Sequence, residues 1–263
     1  MQRRSRASFS PRARERDAAV GIDDDRWVRF LDHVVFGLRE AERRINDEPL
    51  KSRYENRPGW FGRARKKKGG TQYPDETAIS QALYEVLSEI KADQLVRAPV
   101  VDAFDLTRME FAVEVPRRLD PGIGPRSQPT DLRIAVSQDV IDFRIEAKNV
   151  LTPGEIKSEY IGRRGLARFD DTSAPYTLER FGGMVAYVMD KDARSWSELV
   201  KTTLRNELPR ERISDRAVAT EVLTTTVHDR EIDIPAHQIS GRFRTEVIHL
   251  VLEFETRPSL RQP

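Results

Sequence analysis

From Ile141 to Lys148 the chain reads Ile-Asp-Phe-Arg-Ile-Glu-Ala-Lys, an unbroken alternation of apolar and charged residues. A period of two puts Ile141, Phe143, Ile145 and Ala147 on one face of a strand and Asp142, Arg144, Glu146 and Lys148 on the other. A helical period would scatter both sets around the axis. This stretch therefore demands a sheet with one buried face, covered by another layer. Leu132 to Val136 supplies the matching arm, so that Leu132–Val136 and Val140–Val150 read as a hairpin.

The rest of the chain sorts around that hairpin. Residues 1 to about 22 read as a basic tail. Trp27, Phe30, Leu31, Val34, Val35, Leu38 and Ile45 recur at helical spacing from Asp23 to about Asn46, and a loop is expected from there to about Gln72. A second helix is expected from Pro74 to about Ala92, with Ile79, Leu83, Val86, Leu87 and Ile90 as its apolar stripe. Strands are expected over Leu95–Phe104 and Met109–Val115, then a turn-rich loop over Pro121–Pro129. Past the hairpin come a helix from Pro153 to about Phe169 and a strand Met184–Met189 opened by Gly182-Gly183. A helix over Ser195–Leu208 and strands over Ala217–Val227 and Thr245–Phe254 complete the chain. The order predicts an α/β fold with a mixed sheet flanked by helices.

The polar face of the hairpin is where chemistry is expected. Glu146 and Lys148 lie two residues apart, hence roughly 7 Å along one strand face. If Ser137-Gln138 forms a two-residue turn, Val136 pairs with Asp139 and Asp131 falls opposite Arg144. Asp131 is then on the same face as Glu146 and diagonal to it. A three-residue turn would reverse that parity. Two carboxylates so placed can hold one Mg²⁺ or Mn²⁺, whose other positions go to water and a phosphate oxygen. Such an ion polarises a phosphoryl group and acidifies bound water, and Lys148 supplies a point charge beside it. Glu-x-Lys also occurs as Glu89-Ile-Lys91 and Glu155-Ile-Lys157, but only Glu146-Ala-Lys148 lies on an alternating strand with an aspartate on its neighbour.

Charge distribution adds a second expectation. The chain is 33% charged and 38% hydrophobic, with a net charge of only +2. Positive charge is concentrated in Arg3–Arg16 and in Lys51–Lys68, where Arg63, Arg65, Lys66, Lys67 and Lys68 follow Trp60 and Phe61. Basic residues interleaved with aromatics suit a nucleic-acid strand, and a solvated loop is the alternative reading. Arg163, Arg164 and Arg168 either grip phosphates or line a solvated helix face. No Cys is present, and the four His are too dispersed for a local zinc motif, which speaks against zinc. No apolar run nears the roughly 18 residues of a membrane helix, and the basic start lacks the core of a secretory signal. A cytoplasmic protein without membrane association is expected.

Asp131, then Glu146-Ala-Lys148, following a helix with an early acid, resembles the PD-(D/E)xK superfamily of restriction-endonuclease-like nucleases. The resemblance covers about residues 74 to 190, with Thr130 interposed between Pro129 and Asp131. It implies a core of a helix, a three-stranded antiparallel meander, a helix and a further strand. It also implies a metal-dependent endonuclease acting on DNA, with Asp131, Glu146 and Lys148 catalytic and Glu76 as an additional metal-binding acid. On this reading 23–263 is a single nuclease domain. Residues 23–73 then add an N-terminal helix and basic loop to the 74–190 core, and 191–263 add a C-terminal helix and strands. A nuclease without a recognisable specificity domain would endanger its own cell. Control by a regulatory protein partner or by homodimerisation is therefore expected, and with it an effector role in bacterial anti-phage defence or restriction. The alternative is a non-catalytic DNA-binding or assembly subunit that keeps the fold.

Overall fold

The computed structural model describes residues 24–61, 72–97, 105–116, 129–136, 141–173, 176–189, 192–234 and 239–256. A seven-stranded mixed sheet forms its middle layer. In chain order the strands are β1 (Glu110–Pro116), β2 (Pro129–Val136), β3 (Ile141–Asn149), β4 (Phe181–Met189), β5 (Ile213–Val218), β6 (Glu221–Ile234) and β7 (Ile239–Phe254). They lie side by side as β1-β2-β3-β4-β7-β6-β5. The β1-β2-β3 meander is antiparallel, β3, β4 and β7 run parallel, and β7-β6-β5 is again antiparallel.

Two apolar layers cover the sheet. On one face α1 (Asp24–Asn46) and α3 (Glu76–Arg97) bury Trp27, Leu31, Leu38, Ile79, Leu83 and Leu87 against Ile134, Phe143, Ile145, Val185, Leu250 and Phe254. On the other, α5 (Ala193–Glu207) and the irregular segment 156–170 pack Trp196, Leu204, Ile156, Tyr160 and Phe169 on Met184, Ala186, Val188 and Val251. The odd residues of β3 join the α1/α3 core as expected, but Arg144, Glu146 and Lys148 on the other face are buried as well, and the Lys148 ammonium reaches Glu76 of α3.

Several expected elements differ, each for a physical reason. A short helix, α2 (Leu50–Glu55), lies within the expected loop, anchored by buried Tyr54 stacked on Trp60 at 5.3 Å. Leu95 and Val96 extend α3 and stay exposed, so the strand expected from Leu95 does not start there; residues 98–104 lie outside the described set. The helix expected over Pro153–Phe169 breaks into a helical turn α4 (Pro153–Glu155), a π turn (Ile156–Tyr160) and a 3₁₀ turn (Leu166–Asp170). Gly162 and Gly165 cause the break. A Cβ on either would stand 2.1 Å from the carbonyl oxygen of Ser158 or Tyr160, so the chain folds back where only glycine fits. The strand expected over Ala217–Val227 is two strands joined at Ala219, which adopts φ 54°. Gly182 and Gly183 lie inside β4, where a Cβ on Gly182 would come 2.5 Å from the Phe169 ring.

The second layer also buries a polar chain. His228 bridges Asp170 Oδ1 at 2.9 Å and Thr226 Oγ1 at 3.0 Å; His249 bridges Thr226 Oγ1 and Tyr160 Oη, each at 3.0 Å. Burial holds both imidazoles below their ordinary pKa, His249 at about 3. These histidines tie β6 and β7 to the segment carrying Tyr160 and Asp170.

Candidate active site

The site arises where β2 and β3 part. Their ladder runs from Val136↔Ile141 to Leu132↔Ile145 and ends there, while β2 continues along β1 to Pro116↔Pro129. Four residues, 137–140, separate the paired ends, instead of the two of the expected turn; they lie outside the described set. The register therefore shifts by two. Because four is also even, parity survives: Asp131 stays on the Glu146 face but stands level with Glu146 instead of diagonal to it.

Beyond the fork β3 has lost its neighbour, and two carboxylates take over the vacated hydrogen bonds. Ala147 N–H donates to Asp131 Oδ2 at 2.7 Å, and Asn149 N–H donates to Glu76 Oε2 at 2.9 Å. Glu76 comes from the first turn of α3, whose N-terminus is tied to β3 by Asn149 Nδ2 donating to Pro74 O at 3.0 Å. The strand thus imposes the positions of both acids through its backbone, independently of any charge.

Lys148 closes the cluster. Its ammonium lies 2.9 Å from Glu76 Oε1, 2.8 Å from Glu146 Oε1 and 3.9 Å from Asp131 Oδ2, and it also donates to Ala147 O at 2.5 Å. Glu146 is 1% exposed, and Arg168 donates to its Oε1 at 2.5 Å. The four residues expected to act together are therefore in contact. Arg168, expected on phosphates or in solvent, instead reaches back to Glu146 and lies over the Tyr176 ring. That placement follows from the break at Gly165, which no helical reading of the segment contains.

The electrostatics are those of crowded acids. Burial raises the Asp131 carboxyl to about 7, the charge of Glu146 adds to the rise, and Lys148 with the Ala147 N–H opposes it. Burial pulls Lys148 down, but Glu146, Glu76 and Asp131 outweigh it, so the ammonium is held above its ordinary value. Buried polar atoms almost always find a partner. Five side-chain atoms among the described residues do not, and three of them sit on β3 around the fork: Arg144 Nη1, Glu146 Oε2 and Asn149 Oδ1.

A divalent cation fits the donor chemistry in part. Asp131 and Glu146 offer oxygen ligands of the kind Mg²⁺ and Mn²⁺ take, and Glu146 Oε2 is an acceptor with nothing to accept. Among the described residues, however, no group of three or more His, Cys, Asp or Glu side chains is arranged to hold a metal ion. In this arrangement the acids are drawn to the Lys148 ammonium.

The remaining expected residues lie apart from the cluster. Arg163 and Arg164 are exposed on the loop after the π turn. Arg63, Arg65, Lys66, Lys67 and Lys68 lie outside the described residues. The described part of the basic stretch is largely neutralised: Lys51 pairs with Glu255, Arg53 with Glu89 and Arg57 with Glu85. Trp60 is 4% exposed, so it is a core residue and not an open stacking surface. Among the described residues no helix is long and apolar enough to cross a membrane. Comparison with protein-family models, curated proteins and solved structures finds no match.

Proposed function

We propose that this chain is a metal-dependent endonuclease that hydrolyses DNA phosphodiesters, with Asp131, Glu146 and Lys148 as its catalytic residues and Glu76 completing the acid set. The observation that carries the reading is the fork between β2 and β3. It gathers three carboxylates and an ammonium at one opening and leaves a buried Glu146 oxygen unmet. The run of helix α3, antiparallel meander β1-β2-β3, irregular helical segment and parallel β4 supports a restriction-endonuclease-like core.

Asp131 and Glu146 would hold the cation. When bound, it polarises a phosphoryl oxygen and lowers the pKa of coordinated water. The rest falls to the chain's own groups. Lys148 presents a preorganised positive charge where negative charge grows on the phosphate, and the low-dielectric setting strengthens it. Glu76 fixes that ammonium from α3. Arg168 braces Glu146 through the same Oε1 that Lys148 contacts, so the carboxylate does not have to be oriented during reaction. Control by a protein partner or by a second copy, in a defence or restriction setting, is part of the same proposal.

The test is incubation of supercoiled plasmid with Mg²⁺, Mn²⁺, Ca²⁺ or EDTA. Nicking is expected with the first two. Little is expected with Ca²⁺, whose looser coordination positions water poorly, and none with EDTA. Cutting that survives chelation would overturn the metal mechanism. DNA binding without cutting in every metal would favour a non-catalytic subunit. The closed Lys148 cluster favours that second reading.

A further inference from the structure

Beside Asp131 the surface sinks into a pocket of about 280 Å³ that the chemistry above does not use. Four elements line it, the loop Arg57–Trp60, the first turns of α3, Val113 of β1 and Asp131 of β2, and the loop and α3 are fastened together. Asp75 N–H donates to Trp60 O at 2.7 Å, Phe61 bridges Pro74, and Trp60 is stacked on Tyr54 behind the wall. The pocket is thus shaped before any ligand arrives.

Its lining mixes two chemistries. Pro58, Ala78 and Val113 contribute apolar surface, and Thr77 and Gln81 contribute a hydroxyl and an amide. Arg57, the cation among the described lining residues, is committed to both Glu85 oxygens at 2.8 and 2.9 Å. Asp75 and Asp131 line it as well, so the pocket is poorly suited to an anion. It suits a neutral, flat group with hydrogen-bonding edges. Sites for drug-sized molecules run from roughly 300 to 1,000 Å³. This one falls just short, which leaves room for one such group and not for a stack.

We propose that the pocket receives an unstacked nucleobase next to a phosphate drawn to the cation that Asp131 and Glu146 would hold. The substrate is then a strand with unpaired bases, whether a single strand, a frayed end or the duplex that negative supercoiling opens in a plasmid, and fully paired relaxed duplex is disfavoured. The inference rests on the nuclease reading. A paired base could enter the recess only by leaving its partner and its stack. A single strand has its bases free, and shape and hydrogen-bonding contacts to one base add to backbone contacts.

Affinity measured in Ca²⁺, which is expected to fill the cation position while supporting little cutting, tests this without appreciable hydrolysis. The probes are a thymine single strand, an abasic strand of equal length and charge, and a blunt duplex. They are measured against the wild-type chain and Thr77→Tyr, since Thr77 is an exposed rim residue and a larger side chain there fills the pocket. The wild-type chain is expected to bind the thymine strand about tenfold more tightly than the abasic one. Thr77→Tyr is expected to lose that difference while keeping its abasic affinity. Equal wild-type affinity for the two strands, tighter binding of duplex, or an undiminished difference in Thr77→Tyr would overturn the proposal. Because no cutting is measured, such a failure leaves the nuclease reading intact. Absent nicking in the plasmid assay would sink that reading without touching these affinities.

Discussion

Asp131 sits where burial and a neighbouring like charge work against its ionised form. In the unfolded chain its carboxyl ionises near the ordinary 3.8, whereas burial and the Glu146 charge hold it at about 7 in the folded, metal-free chain. Folding therefore takes up a proton between those values. The stability Asp131 contributes is full below about pH 4 and is lost as pH rises through about 7. An uncharged side chain of the same shape still accepts the Ala147 N–H and escapes the loss. Asp131→Asn is thus expected to melt above the metal-free wild-type chain at about pH 8, by a margin on the order of 2 kcal/mol. The margin should close toward pH 4. A variant that melts lower at pH 8 would mean that Lys148 already compensates the buried charge. At this scale the sequence was informative: the type and spacing of Asp131, Glu146 and Lys148 marked the face. Glu76 was expected only through the family resemblance, because an acid in a first helical turn is ordinary. The contact of Arg168 with Glu146 was not legible, because it depends on where the chain folds back.

Elements were legible where one local signal dominated. The apolar periodicity of α1, α3 and α5 and the alternation of β3 survived folding almost unchanged. The turn between β5 and β6 was not legible, since Ala219 carries no turn signal. Its positive φ is held from outside, by Asp32 Oδ1 accepting the Ala219 N–H at 2.5 Å and by Arg39 paired with Glu221 at 2.7 Å. Tertiary contacts from α1 make that turn, so no window of local sequence contains it. The histidines were equally opaque. Read in the sequence only as too dispersed for a zinc motif, His228 and His249 form a buried relay that clamps β6 and β7 to the segment around Tyr160. The folded chain keeps His249 neutral down to about 3, while the unfolded chain protonates it near 6.5. Its contribution is complete above about pH 6.5 and is lost as pH falls toward 3. His249→Gln cannot titrate, so its unfolding free energy should fall less steeply between about pH 6 and pH 4, by up to about 1.4 kcal/mol per pH unit. Denaturant melts across that range measure the slope, and an unchanged slope would remove His249 from the acid response.

At the scale of the whole molecule, the α/β class and the mixed sheet were legible, because alternating strands and amphipathic helices leave few ways to bury both layers. The fork was not. It depends on β2 leaving β3 after Leu132 to follow β1, a choice made by three strands together. Even loop parity, which the sequence could only assume, was met by a loop of different length. That fork is either a cutting site or a static cluster of ion pairs. The direct measurement is plasmid nicking in Mg²⁺ by Asp131→Ala, Glu146→Ala and Lys148→Ala, each shown by its melting curve to be folded. All three are expected to lose cleavage. Their losses should not add in combination, because the residues act as one unit. Wild-type cutting by any one folded variant would contradict the assignment.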